Sequence, residues 1–193
     1  MRTCRVWQRK LSFLKLISLD RDGVINFGSE QFIKTPDDWK PIPGSLEAIA
    51  RLTREGWRVV VATNQSGLAR GLFEMATLNA IHAKMHKAAA QAGGRIEAVF
   101  YCPHAAEMEC GCRKPKAGLF DEIAARYGRD LSDVPAVGDS LRDLLAATRV
   151  GARPVLVRTG KGERTLAAGG LPKDTPVFTD LHEAVEFLLS TAA

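Results

Sequence analysis

Apolar and β-branched residues gather in five short runs, FLKLISL (13–19), WRVVVAT (57–63), IEAVFY (96–101), VPAVG (134–138) and RPVLVR (153–158), each closed by polar or glycine-rich residues. Runs of that length and content predict buried strands. Between them the apolar positions recur at three- and four-residue intervals: Leu46, Ile49, Ala50 and Leu52 in 44–55, Leu78, Ile81 and Met85 in 74–92, Leu119, Phe120 and Ile123 in 117–128. These segments, with 140–149, predict helices. A last strand near PVFT and a capped helix at TDLHEAVEFLL complete the pattern. Strands alternating with helices predict an α/β fold, a doubly wound and mostly parallel sheet with helices on both faces. The weakly patterned stretches 24–43, 103–116 and 159–175 read as loops, none long enough for a second domain or a separate cap. Residues 13–193 are expected to form a single domain behind a basic N-terminal extension, 1–12.

Composition narrows this only a little. A chain of 193 residues that is 46% apolar can bury one substantial core without disulfide staples. No apolar stretch reaches the length of a membrane span, and no secretory signal follows the basic N-terminus. The cytoplasm and reduced thiols are therefore expected. A formal charge of +5 suits a phosphorylated or nucleic-acid partner, but the cations are spread along the chain rather than blocked.

In an open α/β sheet, ligands bind beyond the carboxyl ends of the strands. There the chain places DRDGVIN after the first strand, TNQSGLARG after the second and GDSLRD after the fourth, with Arg113 and Lys114 in CRKP between the third and fourth. Asp20 and Asp22, two residues apart, face one side if the strand geometry persists, and two such like charges call for a cation. A calcium loop of the EF-hand type also begins D-x-D, but it needs an oxygen ligand and then glycine where this chain has Val24 and Ile25. Thr63, Asn64 and Ser66 offer hydroxyl and amide groups to an oxyanion, and Asp143 lies one helical turn beyond Asp139. Taken singly, each has a plainer reading: a glycine-closed turn, capping residues, a solvated Arg-Lys pair.

Taken together and in this order, the four segments resemble the haloacid dehalogenase superfamily of phosphatases, over nearly the whole chain from about residue 13. The resemblance implies the Rossmann-like fold of that superfamily, with Asp20 as nucleophile and Asp22 as general acid and then base. It also implies magnesium held by Asp20, Asp139 and the main-chain carbonyl of Asp22, with Thr63 and Lys114 binding the phosphoryl oxygens. Asp143 would orient Lys114 or a metal-bound water. The chemistry is coherent, because an aspartyl-phosphate splits one difficult displacement into two easier ones.

Three of the four cysteines fall in YCPHAAEMECGCRKP, where Cys102, His104, Cys110 and Cys112 supply the four nitrogen and sulfur ligands that structural zinc prefers. Cys4 reads as incidental, and His82 and His86 as helix-surface residues. A metal-tied loop at 102–112 would hold Arg113 and Lys114 at the mouth of the site. This loop makes the chain similar to a branch of the superfamily that acts on small phosphosugars and related esters, including heptose 1,7-bisphosphate and histidinol-phosphate phosphatases. SGLARG favours the heptose side, which implies release of the C7 phosphate, within lipopolysaccharide or S-layer sugar synthesis. It also implies substrate contacts from Gly28, Ser29, Glu30 and Gln31, from Thr63, Asn64, Gln65 and Ser66, and from Arg113 and Lys114, with Arg113 on the sugar or its retained C1 phosphate. The chain departs from that branch at Val24 for threonine, at Ser140 where relatives often carry lysine, and in the short segment between His104 and Cys110. A small phosphorylated sugar is the expected partner, for a monomer that engages neither membrane nor nucleic acid. Three alternatives stay open: a phosphatase of histidinol phosphate or another small phosphosugar, a phosphatase of DNA 3′ ends and a zinc-stabilised binding module.

Overall fold

The structure, a computed structural model, describes residues 14–191. The N-terminal extension, Cys4 and the start of the first apolar run lie outside the described residues. The elements follow the sequence pattern: β1 (Leu16–Leu19), α1 (Ser45–Arg54), β2 (Arg58–Asn64), α2 (Met75–Gln91), β3 (Ile96–Cys102), α3 (Gly118–Tyr127), β4 (Pro135–Gly138), α4 (Leu141–Arg149) and β5 (Arg153–Val157). Then come α5 (Gly162–Ala168), β6 (Val177–Phe178) and α6 (Leu181–Thr191). Short 3₁₀ turns at Pro36–Asp38 and Ala106–Met108 interrupt two of the expected loops.

The six strands form one sheet in the order β3-β2-β1-β4-β5-β6, every pair parallel. Period-two alternation splits each strand between two cores. Ile17, Leu19, Val59 and Val61 face Ile49, Leu52, Ile81, Met85 and Val185. Leu16, Val60 and Ala62 face Leu119, Phe120, Ile123 and Ala147. Because both faces are covered, the strands are continuous apolar runs rather than alternating ones, as the sequence shows.

The strand order reverses at β1, which pairs with β2 on one side and β4 on the other. Connections leave in opposite directions at such a point and open a crevice beyond the strand ends. Asp20 and Asp139 occupy that crevice, since Asp20 follows β1, Asp139 follows β4, and the Asp20 N–H donates to the Val137 carbonyl at 2.9 Å.

One expectation fails. The stretch 159–175 is not all loop, because Gly162–Ala168 is helical. This helix buries Gly162 and Thr165 rather than an apolar stripe, while Leu166 stays exposed, so it carries no periodic signal.

Candidate active site

Four charged groups meet at the β1/β4 switch point, and all are buried: Asp20, Lys114, Asp139 and Asp143. Lys114 Nζ lies 3.1 Å from Asp20 Oδ1 and 2.7 Å from Asp143 Oδ1, and donates to the Ala62 carbonyl at 2.6 Å. The ammonium is thus held between two carboxylates and a main-chain carbonyl. Burial works against the ammonium, but the two carboxylates outweigh it and hold Lys114 charged. Burial likewise opposes ionisation of Asp143, and Lys114 overrides it. Asp143 also closes a capping box with Ser140 at the start of α4, which fixes its carboxylate.

Asp20 and Asp139 behave differently. Desolvation raises both proton affinities, each like charge adds to the effect, and Asp139 is pushed up to about 7. Asp139 Oδ2 accepts from the Lys161 N–H at 2.8 Å, whereas its buried Oδ1 has no hydrogen-bond partner among the described residues. Ligand oxygens of Asp20, Asp139 and Asp143 lie within 4.8 Å of one another. Crowded, desolvated carboxylates with an orphaned oxygen fit a hard divalent cation, which takes oxygen ligands and removes the like-charge conflict.

The main chain around Asp139 is packed as tightly. Gly23 has φ 90° and Gly160 has φ 59°, and a Cβ at either would run into the Asp139 carboxylate. Thr165 donates to the Asp139 carbonyl at 2.9 Å and Thr159 to the Gly23 carbonyl at 2.6 Å. The β5–α5 segment is therefore the outer wall of the site. The RTGKG sequence after the fifth run signals it, because residues just past every strand end are candidates.

Asp22 is only half-buried and sits in a polar bracket. Arg21, fully buried, donates from Nε to Asp22 Oδ1 at 3.0 Å and from Nη2 to Oδ2 at 2.9 Å. Asn26 donates to Oδ1 at 2.8 Å and Gln65 to Oδ2 at 3.1 Å. Burial opposes the carboxylate, but the guanidinium and these donors hold Asp22 below the usual range, hence ionised. Nothing in the periodicity pointed to Arg21 or Asn26.

Two sequence readings need correction. His82 is not a surface residue: it is buried, with Nε2 3.3 Å from Arg21 Nη1, because Arg21 runs inward beneath α2. Gln31 is exposed and does not line the cavity, although Gly28, Ser29 and Glu30 do. Asn64 lines the cavity, as expected, while its amide also donates to the Lys114 carbonyl at 3.0 Å and accepts from the Lys114 N–H at 3.1 Å. Gln65 is similarly engaged by Arg21, Asp22 and Thr63. Thr63 is buried at the end of β2, beside these groups.

Beyond Asp22 and Asp139 opens a cavity of about 770 Å³ whose lining includes Ser66, Arg113 and four cations that the strand-end search passed over: Arg70, Arg142, Lys161 and Arg164. On one flank stand Cys102, His104, Cys110 and Cys112, with ligand atoms within 4.8 Å of one another and no disulfide among them. Their separations are 3.2 to 3.6 Å. A tetrahedron with metal–sulfur arms of about 2.3 Å has edges of about 3.8 Å, so a small expansion around an ion suffices. Burial and the neighbouring thiol Cys112 push Cys102 up to about 12; burial also opposes the Cys110 thiolate, but hydrogen bonds from the Arg113 N–H, Cys112 and Cys102 together outweigh it and bring Cys110 down to about 7.

This site can be compared with known ones. Residues 15–147 match the family described as Polynucleotide kinase 3 phosphatase, and residues 111–184 match the HAD-hydrolase-like family. The D-glycero-beta-D-manno-heptose-1,7-bisphosphate 7-phosphatase of Bordetella bronchiseptica is 60% identical over 93% of this chain and 100% of its own length. The Pseudomonas putida protein of the same name is 54% identical over 87% of this chain and 95% of its own. The chain belongs to this family of haloacid dehalogenase-like phosphatases. A crystal structure of the B. bronchiseptica enzyme, complexed with magnesium and phosphate, superposes on the phosphatase with a TM-score of 0.91, covering 92% of this chain and 99% of that one. The D,D-heptose 1,7-bisphosphate phosphatase of Burkholderia thailandensis, 55% identical, gives 0.74 over 91% of this chain and 99% of its own. Among the described residues of the phosphatase, no helix is long and apolar enough to cross a membrane.

Proposed function

We propose that the phosphatase removes the C7 phosphate of D-glycero-β-D-manno-heptose 1,7-bisphosphate, with magnesium at the carboxylate site and zinc at the cysteine cluster. The observation that carries this reading is the Asp20–Lys114–Asp143 chain beside the orphaned Asp139 oxygen, in a chain 60% identical to a phosphatase of that name. Asp20, Asp139 and the Asp22 carbonyl would hold the magnesium, which when bound offsets charge on the phosphoryl oxygens. The zinc reading rests on four ligands with tetrahedral spacing and no open position, the pattern of a structural site.

The protein side of the reaction follows from the contacts. Asp20 attacks phosphorus to form an aspartyl-phosphate, and Lys114, already charged and aimed at Asp20, shifts its hydrogen bonds toward the phosphoryl oxygens. Thr63 adds a hydroxyl beside it. Asp22 protonates the leaving alkoxide and afterwards takes a proton from the water that hydrolyses the acyl-phosphate. The bracket around Asp22 favours its ionised form, the state needed for that second task. The incoming phosphate's negative charge favours the protonated state needed for the first. Asp143 keeps Lys114 in place, and the Asn64 amide holds its main chain.

The test is magnesium-dependent phosphate release from both anomers of heptose 1,7-bisphosphate, fructose 1,6-bisphosphate, histidinol phosphate and a 3′-phosphorylated oligonucleotide. The β-heptose bisphosphate should be turned over best, and Asp20→Asn should abolish it. The Polynucleotide kinase 3 phosphatase match favours a second reading, a nucleic-acid end as substrate. Faster release from the oligonucleotide would establish that second reading in place of the first.

A further inference from the structure

Arg21 has no exposed surface, yet its ion-pair partner Asp22 keeps 30% of its side chain accessible and lines the large cavity. Taking a guanidinium wholly out of water is costly, and only good geometry and satisfied N–H groups offset it. Nε and Nη2 form a fork on the two Asp22 oxygens at 3.0 and 2.9 Å, Nη2 also donates to Gln65 Oε1 at 3.1 Å, and Nη1 lies 3.3 Å from His82 Nε2. A guanidinium cannot accept a hydrogen bond, so His82 Nε2 is the acceptor and its neutral ring carries hydrogen on Nδ1. Arg21 is thus gripped at both ends, by Asp22 and Gln65 on one side and by α2 on the other.

The fork meets Asp22 from the protein side. Fully buried Asn26 adds a donor to Oδ1, and Gln65 adds one to Oδ2. An ionised carboxylate offers about four acceptor positions, so these bonds together fix its rotation. Of the three residues that donate to Asp22, Gln65 lines the cavity, whereas Arg21 and Asn26 do not. A leaving oxygen or a water that approaches from the cavity therefore meets Oδ2 beside Gln65, while the fork stays in place behind it. The Arg21 main chain is engaged separately: its N–H donates to Asp20 Oδ1 at 2.7 Å, a bond that side-chain substitution leaves standing. Changes to the Arg21 side chain thus separate the second aspartate from the first.

We infer that Arg21 is a positioning residue, anchored on His82, that holds Asp22 Oδ2 toward the leaving oxygen of the substrate. The inference rests on the reading of Asp22 as general acid and base. Neither Arg21 nor His82 lines the cavity, so both act through Asp22 and not on the substrate.

The test compares leaving groups: heptose 1,7-bisphosphate, whose alkoxide needs a proton to depart, and p-nitrophenyl phosphate, whose nitrophenolate leaves without one. Measured as kcat/KM, the comparison covers only the steps up to that departure, so hydrolysis of the shared acyl-phosphate does not enter. Asp22→Asn sets the scale, with a loss of about 1,000-fold on the sugar and less than about 10-fold on the aryl ester. Arg21→Met should follow the same pattern, about 100-fold and less than about 3-fold, the retained aryl turnover reporting a folded site with Asp20 in place. Arg21→Lys keeps the charge without the fork and should recover less than about 10-fold of the loss. His82→Leu keeps Arg21 but removes its anchor; it should cost about 5-fold on the sugar alone, and His82→Gln should restore it. This pair carries the same comparison where Arg21→Met is too unstable to assay. Equal losses on both substrates, no loss on either, or full rescue by lysine would overturn the assignment. An Asp22→Asn variant whose loss ignores the leaving group would instead overturn the acid role of Asp22, and the positioning role with it.

Discussion

Two clusters of ligand-like side chains lie on either side of Lys114, and they are held by different means. The carboxylates Asp20 and Asp139 end adjacent parallel strands, so the sheet that buries the core also fixes their approach. Their closeness is imposed on them against charge repulsion and desolvation, as the raised proton affinities of both record. The cysteine cluster spans the end of β3 and a loop whose only regular element is the 3₁₀ turn Ala106–Met108. Cys110, Cys112 and His104 are half-exposed, although the three cysteines of the cluster pack on or against the apolar core. The sheet alone sets the first arrangement; the second is expected to depend on a bound ion to stay formed.

The sharpest test of the difference is Asp20→Asn. It should lower turnover by at least about a thousandfold, because an amide cannot form the acyl-phosphate. The melting temperature should stay within about 4 °C, since losing the Lys114 pair is offset by relief from Asp139. A large drop in melting temperature would show that the carboxylate cluster is structural after all. Next in size is selective metal removal. Withdrawing magnesium should abolish activity without moving the melting temperature, and magnesium alone should restore it. Stripping the cysteine cluster, or Cys112→Ser, should lower melting temperature and reduce kcat roughly 10- to 100-fold, with no rescue by magnesium. Rescue by magnesium would mean that the loop keeps its shape unaided.

Asn64 links the two regions. Its amide grips both the N–H and the carbonyl of Lys114, two residues past Cys112, and β2–β3 pairing sets Asn64 beside Cys102. Asn64→Ala should lower kcat about 10-fold by freeing the lysine main chain, while KM hardly changes. A raised KM with unchanged kcat would return Asn64 to the role of sugar contact that its position in TNQSG suggested.

Reading the sequence recovered what repeats or what must sit at a strand end. The six strands, the longer helices, Asp20, Asp22, Asp139, Lys114 and the four cluster ligands are legible because period, strand-end position and ligand density each have a physical meaning independent of tertiary detail. What escaped are residues whose role depends on reaching across the fold. Arg21 reads as an arginine between two aspartates, and only the structure turns it inward under α2. Helix α5 hid because it buries a threonine against Asp139 instead of an apolar stripe. Arg142 and Lys161 are single charges until the cavity brings them to one space.

His82 is the smallest of these cases and yields the smallest effect. Its spacing from His86 placed it on a helix surface, yet burial first and Arg21 second bring its proton affinity down from 6.5 to about 4. Asp22 nearby pulls the other way, with less force. A histidine depressed in the folded state stays neutral there while the unfolded chain binds a proton, so between those values the unfolded state holds more protons. The stability that neutral His82 confers is therefore complete above pH 6.5 and lost progressively as pH falls toward 4. His82→Gln keeps a polar group for Arg21 and removes the titration. Melting temperature followed from pH 7 to pH 4 should fall less steeply in the variant than in wild type. Parallel curves would mean that acid sensitivity in this window arises elsewhere, His86 included, because burial lowers its proton affinity too.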